Sequence, residues 1–259
     1  MKDLYKSLYE ACTQNPIYLD QFNNAAHFVA MKGENYDSLE TKLLVVGRSS
    51  NNWGSLDVSS ADEFGKNAES LFYDTSRWNW IVNENGKLFG REEGNLEKPL
   101  DKRFPLSTNP FWRYSNLIYK NLSGVYNAPD VWMKNIAWTN LYKVSPKRYK
   151  NNNNQTYMYN VQLIPCKYIF NREIELLKPT HILFMTGFDW ITDFKSCFDS
   201  ISEVGKNKMG KHPFDIYIEG LGFINNIPAV IMCRPEYRIK ENYIRDAIKA
   251  FNHLDRKGV

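Results

Sequence analysis

The sequence lacks the features of a secreted, membrane-spanning or metal-dependent protein. It has only four cysteines among 259 residues, Cys12, Cys166, Cys197 and Cys233, and no two lie close together. Zinc sites and iron–sulfur clusters use closely spaced cysteines, so we expect no metal, no cluster and no other cofactor. No apolar run reaches the roughly 20 residues that cross a bilayer. The charged, helix-like amino-terminal segment is unlike a signal peptide, so we expect a cytoplasmic protein without membrane contact.

The chain also lacks the glycine-rich turns of two common nucleotide-binding classes. No Gly-x-Gly-x-x-Gly follows the first predicted strand, which argues against a dinucleotide-dependent dehydrogenase and, on the same grounds, a P-loop nucleotide triphosphatase. The net charge of +4 comes from 33 Lys and Arg against 29 Asp and Glu. This excess is mild, so binding of a polyanion would depend on a local basic patch.

Four short hydrophobic runs, each ending in polar residues, are the main structural signal in the sequence. They cover residues 42–47, 135–140, 180–187 and 229–234. Continuous apolar runs of this length are typical of strands that are buried on both faces. Helical patterns lie between and after them. The alternation predicts an α/β fold with three α/β/α layers and a central four-stranded parallel sheet.

We expect one domain over residues 1–259. Its predicted parts include an N-terminal helical extension, 1–40, and a long insertion or lid, 53–109, because long connections in compact domains are usually functional or mobile. A helix is expected within the insertion around residues 60–72. Another is expected to start at Pro110 with Asn109 as its N-cap, since these residue types favour those positions. We expect the protein to be a monomer.

The order of the strand-end motifs resembles the uracil-DNA glycosylase superfamily over about residues 42–238. The similar segments are Gly47-Arg48-Ser49-Ser50 after the first strand, a helix at 110–122, Trp138-Thr139-Asn140, Met185-Thr186-Gly187, and Arg234-Pro235-Glu236. In the family, the asparagine that ends the second strand reads the base. The resemblance therefore implies a uracil-DNA glycosylase-like fold and assigns base reading to Asn140.

Two positions depart from the family pattern. Ser49 stands where the family often has the acidic or amide residue that positions the attacking water, and Arg234 stands where it often has the histidine that stabilises the departing base. A serine hydroxyl carries no charge, whereas arginine is a permanent cation that can stabilise a base anion or bind a phosphate. With Glu236 as a relocated carboxylate, these three are the candidate catalytic residues. The alternative is a surface Arg234 paired with Glu236.

A base-binding role is expected for Gly47, Asn51, Phe72 and Asn140. The Asn140 amide offers one donor group and one acceptor to a base edge, although a strand-end asparagine can also simply cap a turn. Gly47 has no side chain, so a ligand can approach the backbone there. Phe72 is a candidate stacking platform for an extruded base; the alternative is an ordinary core residue.

Contact with the DNA backbone is expected for Arg48, Lys143, Lys147 and Arg238. These residues follow predicted strands, and the carboxyl ends of parallel strands meet at one edge of a sheet, where ligands bind. Basic side chains gathered there would suit phosphate groups. The alternative is that they are the solvated charges of ordinary loops.

The resemblance implies a DNA glycosylase-like repair protein that flips bases. It would hydrolyse the N-glycosidic bond of a uracil-like, damaged or modified base in single- or double-stranded DNA. Because the candidate catalytic residues depart from the family, the sequence leaves open whether the chain is an enzyme at all. The alternative is a catalytically altered member of the same fold that binds nucleic acid or a nucleotide.

Overall fold

The computed structural model describes residues 1–15, 19, 22–23, 25–49, 60–77, 109–125, 132–145, 153–204, 217–236 and 238–256. The chain forms two compact units. The first unit comprises Met1–Lys32, Arg48–Arg103 and Thr139–Leu177, and the second comprises Gly33–Gly47, Phe104–Trp138 and Lys178–Val259. Of the expected lid at 53–109, only residues 60–77 and 109 lie within the described part.

The described helices are α1 (Lys2–Thr13), α2 (Ala61–Tyr73), α3 (Pro110–Ser123), α4 (Asn153–Leu177), α5 (Phe188–Ile191) and α6 (Lys240–Asp255). The described strands are β1 (Ala26–His27), β2 (Met31–Lys32), β3 (Leu43–Gly47), β4 (Ala137–Asn140), β5 (Val144–Ser145), β6 (His181–Phe184), β7 (Ser200–Glu203), β8 (Ile218–Ile224) and β9 (Ile227–Met232). These elements confirm the expected α/β class.

The first unit is built around three packed helices. Helix α1 contacts both α2 and α4. It buries Tyr5, Leu8 and Cys12, which recur at helical spacing along one face. The helix is much shorter than the extension expected at 1–40, because that segment also contains the short strands β1 and β2.

Local sequence signals account for the starts of two helices. The side chain of Ser60 accepts a hydrogen bond from the backbone N–H of Glu63 at 3.3 Å and so caps α2. The side chain of Asn109 accepts from the N–H of Phe111 at 3.0 Å, and Pro110 occupies the first turn of α3. Both caps satisfy amide groups that a helix leaves free at its start, and the cap at Asn109 confirms the prediction from sequence.

The main sheet has seven strands in the order β2-β4-β3-β6-β9-β8-β7. The pairs β3–β6 and β6–β9 are parallel, whereas β9–β8 and β8–β7 are antiparallel. All four predicted strands are present, but the sheet is larger than the four strands expected and it is mixed rather than parallel. The added strand β8 forms a hairpin with β9 that turns at Asn225 and Asn226, whose φ angles are 51° and 61°. Positive φ at both turn residues is the geometry that two-residue hairpins favour, and asparagine tolerates it.

Strand order marks one edge of the sheet as the place where ligands bind in folds of this kind. Strand β4 lies on one side of β3 and β6 lies on the other, so the chain reverses its direction of travel across the sheet at β3. In open α/β sheets, ligands bind outside the carboxyl ends of the strands at such a reversal. Gly47 ends β3, and Met185, Thr186 and Gly187 follow β6 at this edge.

Candidate functional site

Asn140, the last residue of β4, carries an unusual buried amide. Asn140 is 1% exposed, and its side-chain nitrogen Nδ2 has no hydrogen-bond partner within the described part of the chain. Leaving such a donor unsatisfied costs about 1–3 kcal/mol, and native proteins rarely tolerate it without a reason. The amide is therefore available to an acceptor that a ligand or a water molecule would supply.

Lys143 lies three residues further on and turns back into the interior of the first unit. Its ammonium donates to Thr139 Oγ1 at 2.6 Å, to the backbone oxygen of Asn140 at 2.7 Å and to Glu173 Oε2 at 2.7 Å. Lysine has three N–H donors, so all of them are used. The side chain is 0% exposed. This corrects the expected contact of Lys143 with a DNA phosphate, because the ammonium is buried and fully paired.

The partner of Lys143 is Glu173, which reaches the cluster from α4. Its Oε2 also accepts a 2.7 Å hydrogen bond from the hydroxyl of Thr139, and its side chain is 0% exposed. Burial raises the pKa of the Glu173 carboxyl above its ordinary value, and the nearby Lys143 opposes that rise. The pair is a buried ion pair in which each member depends on the other for compensation of its charge.

The turn that carries Lys143 is held by a second side chain of α4. Gln162 Oε1 accepts from the backbone N–H groups of Lys143 at 3.1 Å and Val144 at 2.8 Å, while its Nε2 donates to the oxygen of Val144 at 2.8 Å. The N–H of Tyr142 donates to the oxygen of Arg48 at 2.9 Å. The segment after β4 is therefore bonded to α4 and also to the first residue after β3.

The remaining candidates of the first unit differ in how far the structure describes them. Ser49 is half-buried and follows Arg48 at the end of β3. Phe72 is 3% exposed on α2 and meets Tyr73 edge to face at a centroid distance of 5.2 Å. A ring this deeply buried presents no open face to a base, so the expected stacking role is corrected to a core role.

Two other expected residues, Asn51 and Lys147, lie outside the described residues. Their predicted roles in base binding and backbone contact stay predictions.

In the second unit, Arg234 and Glu236 follow β9 and pair with each other. Arg234 Nη2 lies 2.9 Å from Glu236 Oε1, and the two side chains are 54% and 41% exposed. This is the surface pairing foreseen as the alternative to catalysis. An exposed pair contributes only about 0–1 kcal/mol, so an anionic ligand could displace the glutamate from Arg234 at little cost.

The backbone that presents these residues is anchored at both ends. Tyr243 donates through its hydroxyl to the oxygen of Cys233 at 2.7 Å, and Tyr114 donates to the oxygen of Arg238 at 2.9 Å. Arg238 is exposed, and its Nε donates to the oxygen of Arg234 at 3.3 Å. The backbone oxygens of Cys233, Arg234 and Arg238 therefore each accept a hydrogen bond from a side chain.

Cys233 itself is unsuited to nucleophilic chemistry. It is 4% exposed, and burial raises the pKa of its thiol to about 11, although Arg238 acts in the opposite direction. The thiolate is the reactive form of cysteine, so Cys233 stays protonated and unreactive near neutral pH.

Glu219 is a residue that sequence reasoning missed. Its neighbour Ile218 pairs with Met232, which places Glu219 beside the carboxyl end of β9. Its Oε2 accepts a 2.7 Å hydrogen bond from the N–H of Phe188. Strand β8 contains two glycines and has no continuous apolar run, so the sequence did not predict it as a strand. It reaches this edge by antiparallel pairing with β9.

Gly187 shapes the same edge through its backbone. Its φ and ψ are 81° and 155°, and its N–H donates to the oxygen of Met232 at 2.9 Å. This region of backbone conformation is essentially restricted to glycine. The turn after β6 therefore depends on the absence of a side chain at this position.

No family model matches the chain, and neither does any curated protein. Within the described ranges, no group of three or more His, Cys, Asp or Glu side chains is arranged to hold a metal ion. In that same part of the chain, no helix combines the length and the apolar character needed to cross a bilayer.

Proposed function

We propose that this chain is a DNA glycosylase-like protein of the uracil-DNA glycosylase type, which recognises an extruded base with Asn140. One observation carries the proposal: the Asn140 amide is buried at the end of β4, and its Nδ2 has no partner in the described part of the chain. An asparagine amide can donate and accept at once, which complements a base edge that presents a carbonyl beside an N–H. Uracil-like bases have such an edge.

The proposal includes contact with the phosphate backbone by the second unit. Arg234 and Arg238 are exposed after β9, on a segment anchored by Tyr114 and Tyr243. Arginine forks match phosphate oxygens and carry a permanent charge. The catalytic roles expected for Arg234 and Glu236 in the second unit, and for Ser49 in the first, stay part of the proposal.

A second candidate function, binding without hydrolysis, is favoured by the Arg234–Glu236 pair. The 2.9 Å contact uses one carboxylate oxygen of Glu236 and offsets part of the charge on Arg234. If the pair persists when DNA is bound, the charges of Arg234 and Glu236 offset each other, which weakens both groups for bond cleavage. The chain would then be a base-binding protein on a glycosylase-like scaffold.

The deciding experiment uses oligonucleotides that carry uracil or one of a panel of modified bases, in single and double strands. Alkali-labile breaks after incubation with the protein establish hydrolysis. Salt-dependent binding without breaks establishes the second candidate. Absence of both would overturn the proposal.

The assignment of Asn140 is tested with Asn140→Asp, which keeps the shape of the side chain but replaces its donor by an acceptor. The matched control is Asn252→Asp, the same change at an exposed position of α6. We expect the first variant to lose base preference and the control to keep it. Equal base preference in the two variants would show that Asn140 does not read the base.

A further inference from the structure

The ammonium of Lys143 is hydrogen-bonded to the backbone of Asn140, the residue that carries the unpartnered amide nitrogen. The ammonium donates to the Asn140 backbone oxygen at 2.7 Å, and the side chain of that residue holds the unpartnered Nδ2. A hydrogen bond from a charged donor is among the stronger bonds available to a backbone carbonyl. It restrains the peptide plane that follows Asn140, and so the backbone from which the side chain projects.

Stability is a weak explanation for this arrangement. Lys143 and Glu173 are both 0% exposed. Removing two charges from water is costly, and well-packed apolar residues of similar size often serve a protein equally well or better at such positions. An orienting role is the better explanation for the cluster. The group that it can orient is Asn140, whose backbone oxygen accepts a hydrogen bond from the ammonium.

The cluster also has the rigidity that an orienting role requires. All three ammonium N–H groups are used, the hydroxyl of Thr139 bridges Lys143 and Glu173, and the Phe28 ring lies 5.9 Å from the ammonium nitrogen. Beyond the lysine, Gln162 holds the next backbone groups. The residue that reads the base is thus followed by a turn with little freedom to rotate.

We propose that Lys143, held by Glu173, is a positioning residue that sets the orientation of the Asn140 amide and so the choice of base. The inference rests on the proposed function of Asn140 as the base reader. A misdirected amide would exchange donor for acceptor or miss the base edge, whereas contacts to phosphate would be unaffected. Loss of the cluster should therefore lower base discrimination more than it lowers general affinity for DNA.

The test compares the wild-type protein with the double variant Lys143→Met/Glu173→Leu, which removes both charges and leaves neither partner unpaired. Affinity is measured for oligonucleotides that differ in one base, and thermal melting confirms folding. A well-placed pair of hydrogen bonds is worth roughly 5- to 150-fold in discrimination, and we expect most of this ratio to vanish. An unchanged ratio in the folded double variant would overturn the inference.

Two controls separate orientation from general destabilisation. Cys12→Ala shortens a buried side chain of α1 in the same unit. It should lower the melting temperature and keep the discrimination ratio. Lys143→Arg keeps a cation at this position. If the cation orients Asn140, this variant should discriminate between bases better than the double variant does. If only packing matters, it should discriminate no better.

A measurement without DNA distinguishes failure of this inference from failure of the proposed function. In protein labelled with ¹⁵N-asparagine, the Asn140 side-chain resonances are assigned by their loss in Asn140→Asp. Slow solvent exchange of the amide protons with chemical shifts far from those of a free asparagine in the wild type, and fast exchange with free-asparagine shifts in the double variant, would establish positioning. Identical resonances in both would refute it. If the wild type shows no base preference, the proposed function fails, and this comparison alone decides whether Lys143 orients the amide.

Discussion

The ammonium of Lys143 is hydrogen-bonded at 2.7 Å to the backbone oxygen of Asn140, three residues before it in the chain. The lysine is thereby withdrawn from solvent and the asparagine is held in place. The roles expected for the two residues at the end of β4 and after it therefore change. A residue expected to contact DNA supports the residue expected to read the base.

The buried pair of Lys143 and Glu173 should behave as a coupled unit in stability measurements. Lys143→Met alone leaves a carboxylate that is buried and unpaired, and we expect a loss of about 3–5 kcal/mol in the free energy of unfolding. The double variant with Glu173→Leu should lose much less. Urea denaturation of the wild type, both single variants and the double variant gives the interaction energy. Additive losses would show that the two residues are not coupled.

Acid should destabilise the first unit through His27. This residue is 3% exposed, and burial lowers the pKa of its imidazole from 6.5 to about 4. The folded protein therefore resists protonation where the unfolded chain accepts it. Stability should be complete above pH 6.5 and should fall between pH 6.5 and 4, by about 3 kcal/mol in total.

The His27 effect is isolated with His27→Gln, whose amide can still donate to the oxygen of Phe22, as the ring nitrogen Nε2 can at 2.9 Å. The free energy of unfolding of both proteins is measured from pH 4 to pH 8. Parallel curves for the two proteins would contradict the assignment, whereas a flatter curve for the variant supports it.

The turn at Gly187 should tolerate no side chain. Gly187→Asn should cost about 1–3 kcal/mol, because its φ of 81° with ψ of 155° lies in a region essentially restricted to glycine. Gly124→Asn is the matched control, since Gly124 ends α3 with φ 68° and ψ 3°, a left-handed conformation that asparagine adopts readily. Thermal melting of the two variants compares them. Equal losses would argue against strain at Gly187.

Arg238 should contribute to DNA binding through charge rather than sequence. If the proposed phosphate contact is correct, Arg238→Gln should weaken binding to all sequences alike and reduce the slope of log affinity against log salt by about 1. Arg172→Gln removes the same charge from an exposed arginine that is paired with Glu175 on α4. Binding titrations at several salt concentrations compare the two variants. The same slope in both would exclude a specific contact at Arg238.

Much of the secondary structure could be predicted because its causes are local. Neighbouring residues alone determine the cap formed by Asn109 and the first-turn position of Pro110. The same holds for the apolar runs of β3, β4, β6 and β9. The antiparallel part of the sheet could not be predicted in the same way. Strand β8 contains two glycines and β7 is largely exposed, so neither has the apolar pattern of a buried strand.

Local sequence patterns were enough to predict the α/β class, the four strands and the place of Asn140 at the end of one of them. Which side chains face solvent depends on contacts between residues that are distant in sequence. Lys143 and Arg238 are both basic residues that follow a strand, yet Glu173 on α4 draws the first into the interior and the second stays exposed. A charge is buried where a partner compensates it, and that partner is often distant in sequence. For Lys143 that partner lies 30 residues away, beyond the reach of any local pattern.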